Sequence, residues 1–176
     1  LIYLSNKENI TMTSKTLKSV KIAAVIAVTF IGFSTSAFAV DEHNVVSGFT
    51  AVGAPLGLHG ADHVAFIDIG NRITGTAAHA AKYDGVAYYF SSEKNQKDFS
   101  KNPEKYIPEN GGYCTFGTSV GKKFDGDPKY AEVVDGKLYV FLNEDIFKLY
   151  QKDRAGTISK AAKQWKKIEH KAASSL

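Results

Sequence analysis

Two Asp-Gly pairs constrain the fold of this chain more than any other sequence feature, because each lies beside residues that favour β-structure. Asp84-Gly85 precedes the β-prone run 86–90. Asp135-Gly136 divides the stretch "YAEVVDGKLYVFL" into two β-prone halves. Asp-Gly favours the tight primed turns that connect antiparallel strands. The sequence therefore predicts two β-hairpins.

Capping residues mark helices between and after the hairpins. Ser91 and Ser92 suit the N-cap of a helix that extends to Pro103. Asn102-Pro103 suits the start of one or two further helical turns, and Asn143 suits the N-cap of a later helix. The last helix, "TISKAAKQWKKIEH", has apolar residues at helical spacing, and we expect Gly156 to separate it from its predecessor.

The remaining segments are short, and the sequence predicts a different local structure for each. The run Val64 to Ile69 predicts a short strand, whereas "YCTFGTSVG" is compatible with a buried helix or a strand. Gly111 and Gly112 predict a turn that needs positive φ or a close backbone approach. Together, these signals predict a small single-domain α+β fold with two β-hairpins and three to four short helices.

The first 39 residues resemble an export signal preceded by extra sequence. Three lysines at positions 15, 18 and 21 precede the apolar run 22–33, and Ala37-Phe38-Ala39 fits a cleavage site. We therefore expect translation to start at Met12 and cleavage to follow Ala39. For the rest of the chain, we expect a flexible leader at 40–55, one domain at 56–170 and a disordered tail at 171–176.

Charge excludes some partners once the predicted signal is set aside. The formal charge of +4 falls to +1 from Val40 onward, where 18 basic and 17 acidic residues alternate along the chain. We therefore expect no nucleic-acid binding, and a solvated face of alternating charge on the lysine-rich last helix. Because the run 22–33 is too short to span a bilayer, we expect no stable membrane anchor. The predicted location is the periplasm or the extracellular space.

The stretch "KYDGVAYYFSSEKNQKDFSKNPEKYIPENGGYC" resembles the YHS domain family, in its exported members above all. The shared features are a glycine turn into an aromatic strand ending in Phe-Ser-Ser, then Asn-Pro-Glu-Lys-Tyr, then Gly-Gly-Tyr-Cys. The flanking stretches "LHGADHVAF" and "VVDGKLYVFLNEDIFKLYQKD" are similar to the family's first strand and later hairpin. The resemblance implies a YHS-like fold over most of the chain from about Leu56 to about Trp165.

The resemblance also shows where this chain departs from the family. YHS domains attached to copper pumps and to some oxygenases carry cysteines that are regarded as metal-binding. Ala65, Ser91 and Asn95 occupy the positions where those cysteines would fall. His63 and Ala61 replace a proline and a tyrosine often seen in exported members. The familiar metal site of the family is therefore absent here, and the role of Cys114 stays open.

Four potential metal donors remain within the predicted domain: His59, His63, His79 and Cys114. Imidazole and thiolate ligands together suit copper or zinc. We predict that these four residues form a metal site or small-ligand site, to which Tyr83 and Tyr113 contribute ligand contacts. Each histidine also has a structural reading, as a solvated or hydrogen-bonded side chain without a ligand.

Cys114 is the one cysteine of the chain, so no intrachain disulfide can form. It can be a metal ligand, a nucleophile paired with a base such as His79, a bridge between chains, or a small buried side chain. No hydrolase or phosphate-loop motif accompanies it. We therefore predict an exported, non-catalytic binding protein that takes a metal ion or small ligand. The alternative is a protein-interaction module with a structural cysteine and no ligand.

Overall fold

A computed structural model describes residues 42–176, which form two β-sheets and five α-helices. The predicted signal segment lies outside the described residues. The α+β class is confirmed, as are both hairpins. The helices are α1 (His63–Ile69), α2 (Glu93–Lys101), α3 (Thr115–Ser119), α4 (Glu144–Lys152) and α5 (Arg154–Ile168).

The larger sheet has four strands in the order β1-β2-β4-β3. These strands are β1 (Val45–Val46), β2 (Leu56–Gly57), β3 (Thr76–Tyr83) and β4 (Val86–Phe90). β3 and β4 are antiparallel, whereas β2 runs parallel to β4. The turn between β3 and β4 has φ of 46° at Asp84 and 76° at Gly85, as a primed turn requires.

The second hairpin joins β5 (Asp127–Val134) to β6 (Lys137–Phe141). Its turn residues, Asp135 and Gly136, also have positive φ. Every residue of β6 after Lys137 is buried, and Phe141 stacks on Tyr150 of α4 with ring centroids 4.2 Å apart. This hairpin therefore anchors the C-terminal helices through aromatic packing.

The helix caps follow the sequence in two places. Ser92 accepts a hydrogen bond from the backbone N–H of Asn95, and Asn143 accepts one from Ile146. The predicted boundary at Gly156 is wrong, because Gly156 lies inside α5. Asp153 makes the break instead, and its side chain accepts a hydrogen bond from the Gly156 N–H.

The predicted strand at 64–69 is wrong, because this segment forms α1. Asp62 caps its first turn by accepting a hydrogen bond from the Ala65 N–H, and Gly70 ends it with φ of 65°. A short apolar run, here interrupted only by Asp68, fits a buried helix as well as a buried strand, so periodicity could not decide between them. The ambiguous stretch after Gly112 is also helical, as α3.

Both terminal segments make contacts with the rest of the described chain. In the segment expected to be a flexible leader, Val45 and Val46 pair with Gly57 and Leu56, and Ala54 is buried. In the segment expected to be a disordered tail, the Lys171 carbonyl accepts a hydrogen bond from Lys123, and a 3-10 turn spans Ala173–Ser175.

One buried carboxylate, that of Asp62, connects three elements of the fold. It accepts hydrogen bonds from the Ala65 N–H in α1, from both the N–H and the hydroxyl of Ser91 after β4, and from the Asn95 amide in α2. Burial alone would raise the pKa of Asp62, but these hydrogen bonds, with that from Ser91 largest, hold it below its usual value. Asp62 is therefore an ionised hub inside the domain.

We predict that Asp62→Ala lowers the free energy of unfolding by at least about 3 kcal/mol, because it leaves several buried donors without an acceptor. Urea denaturation measures this loss. Asp68→Ala is the matched control on the same helix. It removes an exposed pair with Lys105 and one hydrogen bond from the Tyr106 hydroxyl, which predicts a smaller loss, below about 2 kcal/mol. Equal losses in the two variants would contradict the role assigned to Asp62.

Candidate functional site

The structure places the four predicted metal donors in different surroundings. His59 is exposed, has φ of 52°, and its Nε2 lies 2.9 Å from Asp125 Oδ1. His63 is fully buried at the first position of α1. His79 is half-buried on the edge strand β3, where it interacts electrostatically with the Glu93 carboxylate. Cys114 is buried at the N-cap of α3.

These four donors do not form a common cluster. Among the described residues, one group of three or more His, Cys, Asp and Glu side chains has its ligand atoms all within 4.8 Å of one another, and it contains none of them. His59 and His63 are four residues apart, but the backbone is extended at both residues that precede His63, so no helical face brings them together.

The two predicted ligand-contacting tyrosines are built into the domain. Tyr83 lies edge-to-face with Phe99, with ring centroids 6.4 Å apart. The Tyr113 hydroxyl donates to the His43 carbonyl at 3.1 Å, and its ring contacts Trp165. Tyr113 therefore holds the backbone beside His43, a residue that the sequence reading placed in the leader.

The one three-donor cluster consists of Glu42, His43 and Asp84. His43 Nε2 lies 3.0 Å from Asp84 Oδ2, and these residues are 41 positions apart in the chain. Glu42 Oε1 lies 2.6 Å from His170 Nδ1 near the C-terminus. Only 11% of the His43 side chain is exposed, against 57% for Asp84, so the cluster has a buried base and an open side.

Backbone contacts fix the segment that carries Glu42 and His43. The Asn44 N–H donates to the Gly111 carbonyl at 2.8 Å, and the Asn44 amide donates to the Gly112 carbonyl at 3.1 Å. A Cβ on Gly111 would lie 1.8 Å from the Glu42 carbonyl oxygen, and φ at Gly111 is 61°. The positive φ expected for Gly111 is therefore confirmed, and the close backbone approach is to Glu42, which precedes the first strand.

The cluster lies in a cleft of about 290 Å³ with a strongly acidic lining. Trp165 and Pro108 contribute apolar wall. The carboxylates that line the cleft are those of Glu42, Asp84, Glu104, Glu109 and Glu169. Lys137 pairs with Glu109 at 3.0 Å and offsets one of these charges. A site with two carboxylates and one imidazole suits a divalent cation such as Zn²⁺ and leaves a coordination position open.

The sequence did not predict this cluster, because its three members come from separate segments of the chain. Glu42 and His43 precede the first strand, and Asp84 belongs to a hairpin turn whose Asp-Gly signal already had a structural explanation. An acid next to a histidine is the one local signal, and it is a weak one. Only the fold brings the turn against the N-terminal segment.

His63 has unusual hydrogen bonding for a buried imidazole. Its Nδ1–H donates to the Tyr106 carbonyl at 3.1 Å, while Nε2 is buried and has no hydrogen-bond partner among the described residues. Burial lowers the pKa of His63 to about 4. The ring packs edge-on against Tyr88, with centroids 5.0 Å apart. His63 is therefore a neutral core residue.

Cys114 is also a core residue. It is 1% exposed, packs with Tyr139, Phe141 and Tyr150, and its sulfur accepts a hydrogen bond from the Gly117 N–H at 3.4 Å. Burial raises the pKa of the thiol. No hydrogen bond joins it to a histidine in residues 42–176. Of the four roles considered for Cys114, its surroundings fit that of a small buried side chain.

Comparison with known proteins identifies one domain. The sequence model of the YHS domain family matches residues 69–110. The chain contains a YHS domain. No curated protein and no solved structure matches the chain. Asp84 lies within the matched residues, whereas Glu42 and His43 precede them, so the cleft combines the YHS domain with flanking sequence.

The structure shows what stands at the three positions where the resemblance places cysteines in other YHS domains. Ala65, Ser91 and Asn95, at the positions of those cysteines, all donate hydrogen bonds to Asp62. Hydrogen bonds to a carboxylate thus occupy the place that the resemblance assigned to metal ligation. Among residues 42–176, no helix has the length and apolar character to cross a membrane.

We predict that His63 makes the domain acid-sensitive. Its folded pKa of about 4 lies below the ordinary value of 6.5, so the unfolded chain binds the proton more tightly. The resulting stability is present above pH 6.5 and is lost as the pH falls toward 4, by up to about 3 kcal/mol. Denaturation at several pH values measures this slope.

His63→Asn supplies the control for that slope, because an amide can still donate to the Tyr106 carbonyl but does not titrate. We expect the stability of this variant to vary less between pH 6.5 and pH 4.5 than that of the original protein. Identical slopes in the two proteins would show that other groups cause the acid sensitivity.

We also predict that Cys114 reacts slowly with thiol reagents while the domain is folded. Burial and the raised thiol pKa keep the reactive thiolate rare and inaccessible. Labelling with a maleimide should be at least about 100-fold slower in native protein than in urea-unfolded protein, because reaction requires opening of the fold. Rapid native labelling would contradict the structural role.

Proposed function

We propose that this protein is an exported, non-catalytic, YHS-type metal-binding protein that takes one divalent cation in the cleft. The ligands are Glu42, His43 and Asp84. The proposal is carried by one observation, the approach of these three donor groups to within 4.8 Å in the cleft. It replaces the four donors expected from the sequence with a set that is close together.

The electrostatics of the cleft support a cation as the ligand. Five carboxylates line it, and one of them is paired with Lys137. Mutual repulsion among carboxylates is relieved by a bound cation, and a cleft lined by one sign of charge raises the local concentration of counter-ions. Zinc and copper both accept imidazole and carboxylate ligands, so they are the ions to test.

The hydrogen bonds of the cluster support exchange with a metal. His43 Nε2 bonds to Asp84, so a cation between them would take the place of a proton on the imidazole. His170 lies outside the site and can hold the second carboxylate ligand, Glu42, in position through a hydrogen bond. The proposed ion therefore has three direct ligands, and His170 supports one of them.

The competing function is a protein-interaction module without a ligand. It is favoured by the apolar surface near β1, where Phe49 is 82% exposed and Val46 and Val52 lie in the same segment. The buried, hydrogen-bonded Cys114 suits this function equally well. The two proposals differ in whether the purified protein binds metal in solution.

We expect calorimetric titration with Zn²⁺ or Cu²⁺ to give one site per chain. His43→Gln and Asp84→Asn should each weaken binding at least about tenfold, since each removes a first ligand. His59→Gln is the matched control: it removes another histidine–aspartate contact, outside the cluster, and should leave the affinity unchanged.

Asp84→Asn is the more decisive variant, because its side chain is exposed and the turn conformation suits asparagine. If neither ion binds the original protein, the metal proposal fails and the interaction module is favoured. If binding survives both cluster variants but is lost in His59→Gln or Cys114→Ser, the metal lies at the residues first expected from the sequence.

A further inference from the structure

The outer face of α5 carries a cluster of positively charged side chains. Lys160, Lys163, Lys166 and Lys167 are all exposed, while Thr157, Ala161 and Ile168 are buried on the opposite side. Spacings of three and four residues place these lysines on the same side of a helix. The alternating charge expected for this helix is wrong, because α5 contains no acidic residue.

These lysines lack the ion pairs that neutralise lysines elsewhere. In α2, Lys94 and Lys97 pair with Asp98 and Glu93, at 2.6 and 2.5 Å. In α5, Lys160 makes a contact of 3.9 Å with Asp153, and both side chains are more than 60% exposed.

The other three lysines, Lys163, Lys166 and Lys167, form no ion pair with any described residue. The acidic residue that follows the helix, Glu169, lines the cleft instead. The outer face therefore keeps most of its positive charge.

We propose that this lysine face, defined by Lys160, Lys163, Lys166 and Lys167, binds the anionic headgroup surface of a lipid bilayer. The face is convex and holds no arginine, so it lacks the planar fork and the concavity that recognise a single phosphate or carboxylate group. Flexible lysines on a convex helix suit a diffuse anionic surface. Each lysine near such a surface contributes a similar increment of attraction.

The bilayer fits better than other polyanions for two reasons. The predicted export places the protein beside membranes and away from nucleic acid. The acidic cleft lies beside the C-terminal end of α5, through Trp165 and Glu169, and would repel a polyanion that wrapped around the domain. A flat surface can contact the lysine face alone. Binding of this kind is peripheral and needs no membrane-spanning segment.

The test measures binding of the mature protein, purified from its native compartment, to sedimented vesicles. One vesicle type contains 30% phosphatidylglycerol in phosphatidylcholine, as a chosen test composition of roughly one anionic lipid in three. The other is phosphatidylcholine alone. We expect binding to the first type only, and weaker binding as salt rises from low to physiological ionic strength.

Two triple variants make the test specific. Lys163→Gln with Lys166→Gln and Lys167→Gln should reduce vesicle binding about 100-fold, on the basis of about fivefold per lysine. The control replaces Lys94, Lys97 and Lys101 with glutamine. It removes the same charge from three exposed lysines of another helix and should change binding less than about threefold.

Three outcomes would overturn the proposal. They are equal losses in the two triple variants, equal binding to neutral vesicles, and no binding to anionic vesicles at low salt. Heparin binding without vesicle binding in the original protein would assign the lysine face to a soluble polyanion. Circular dichroism should be unchanged, because all substituted side chains are exposed.

Discussion

The Asp62 carboxylate is the interaction on which the arrangement of the N-terminal half depends. It is fully buried, yet donors from α1, from the end of β4 and from α2 together satisfy it. A buried charge is tolerated only when it is well hydrogen-bonded, so these three elements must keep their relative positions. His63 follows Asp62 directly, and the same packing holds its imidazole neutral in the core.

The fixed position of β4 in turn determines where function can lie. β4 ends one hairpin whose turn presents Asp84 to the N-terminal segment, and Gly111 allows that segment to approach without a clash. The cleft therefore forms where the YHS domain meets sequence outside its matched residues. This arrangement separates the proposed metal site from Ala65, Ser91 and Asn95, where the resemblance places cysteines in other YHS domains. Here those three residues donate hydrogen bonds to Asp62.

The C-terminal helix separates two kinds of charged surface. Trp165 and Glu169, near its end, line the acidic cleft, and its outer lysines form a basic face with little pairing. Lys123 supports this end of the helix by donating to the carbonyls of Glu169 and Lys171, both at 2.7 Å. The near-neutral charge of the chain from Val40 onward thus conceals two surfaces of opposite sign.

The sequence by itself determined the local features: both primed turns, the caps at Ser92 and Asn143, the α+β class and the YHS resemblance. These depend on residues within a few positions of one another, where turn chemistry and capping act directly. Only the tertiary structure decided that residues 63–69 are helical, that His59, His63, His79 and Cys114 do not meet, and that Glu42 and His43 lie against Asp84. Those outcomes depend on long-range packing and on which side chains can satisfy a buried Asp62, and sequence spacing does not carry that information.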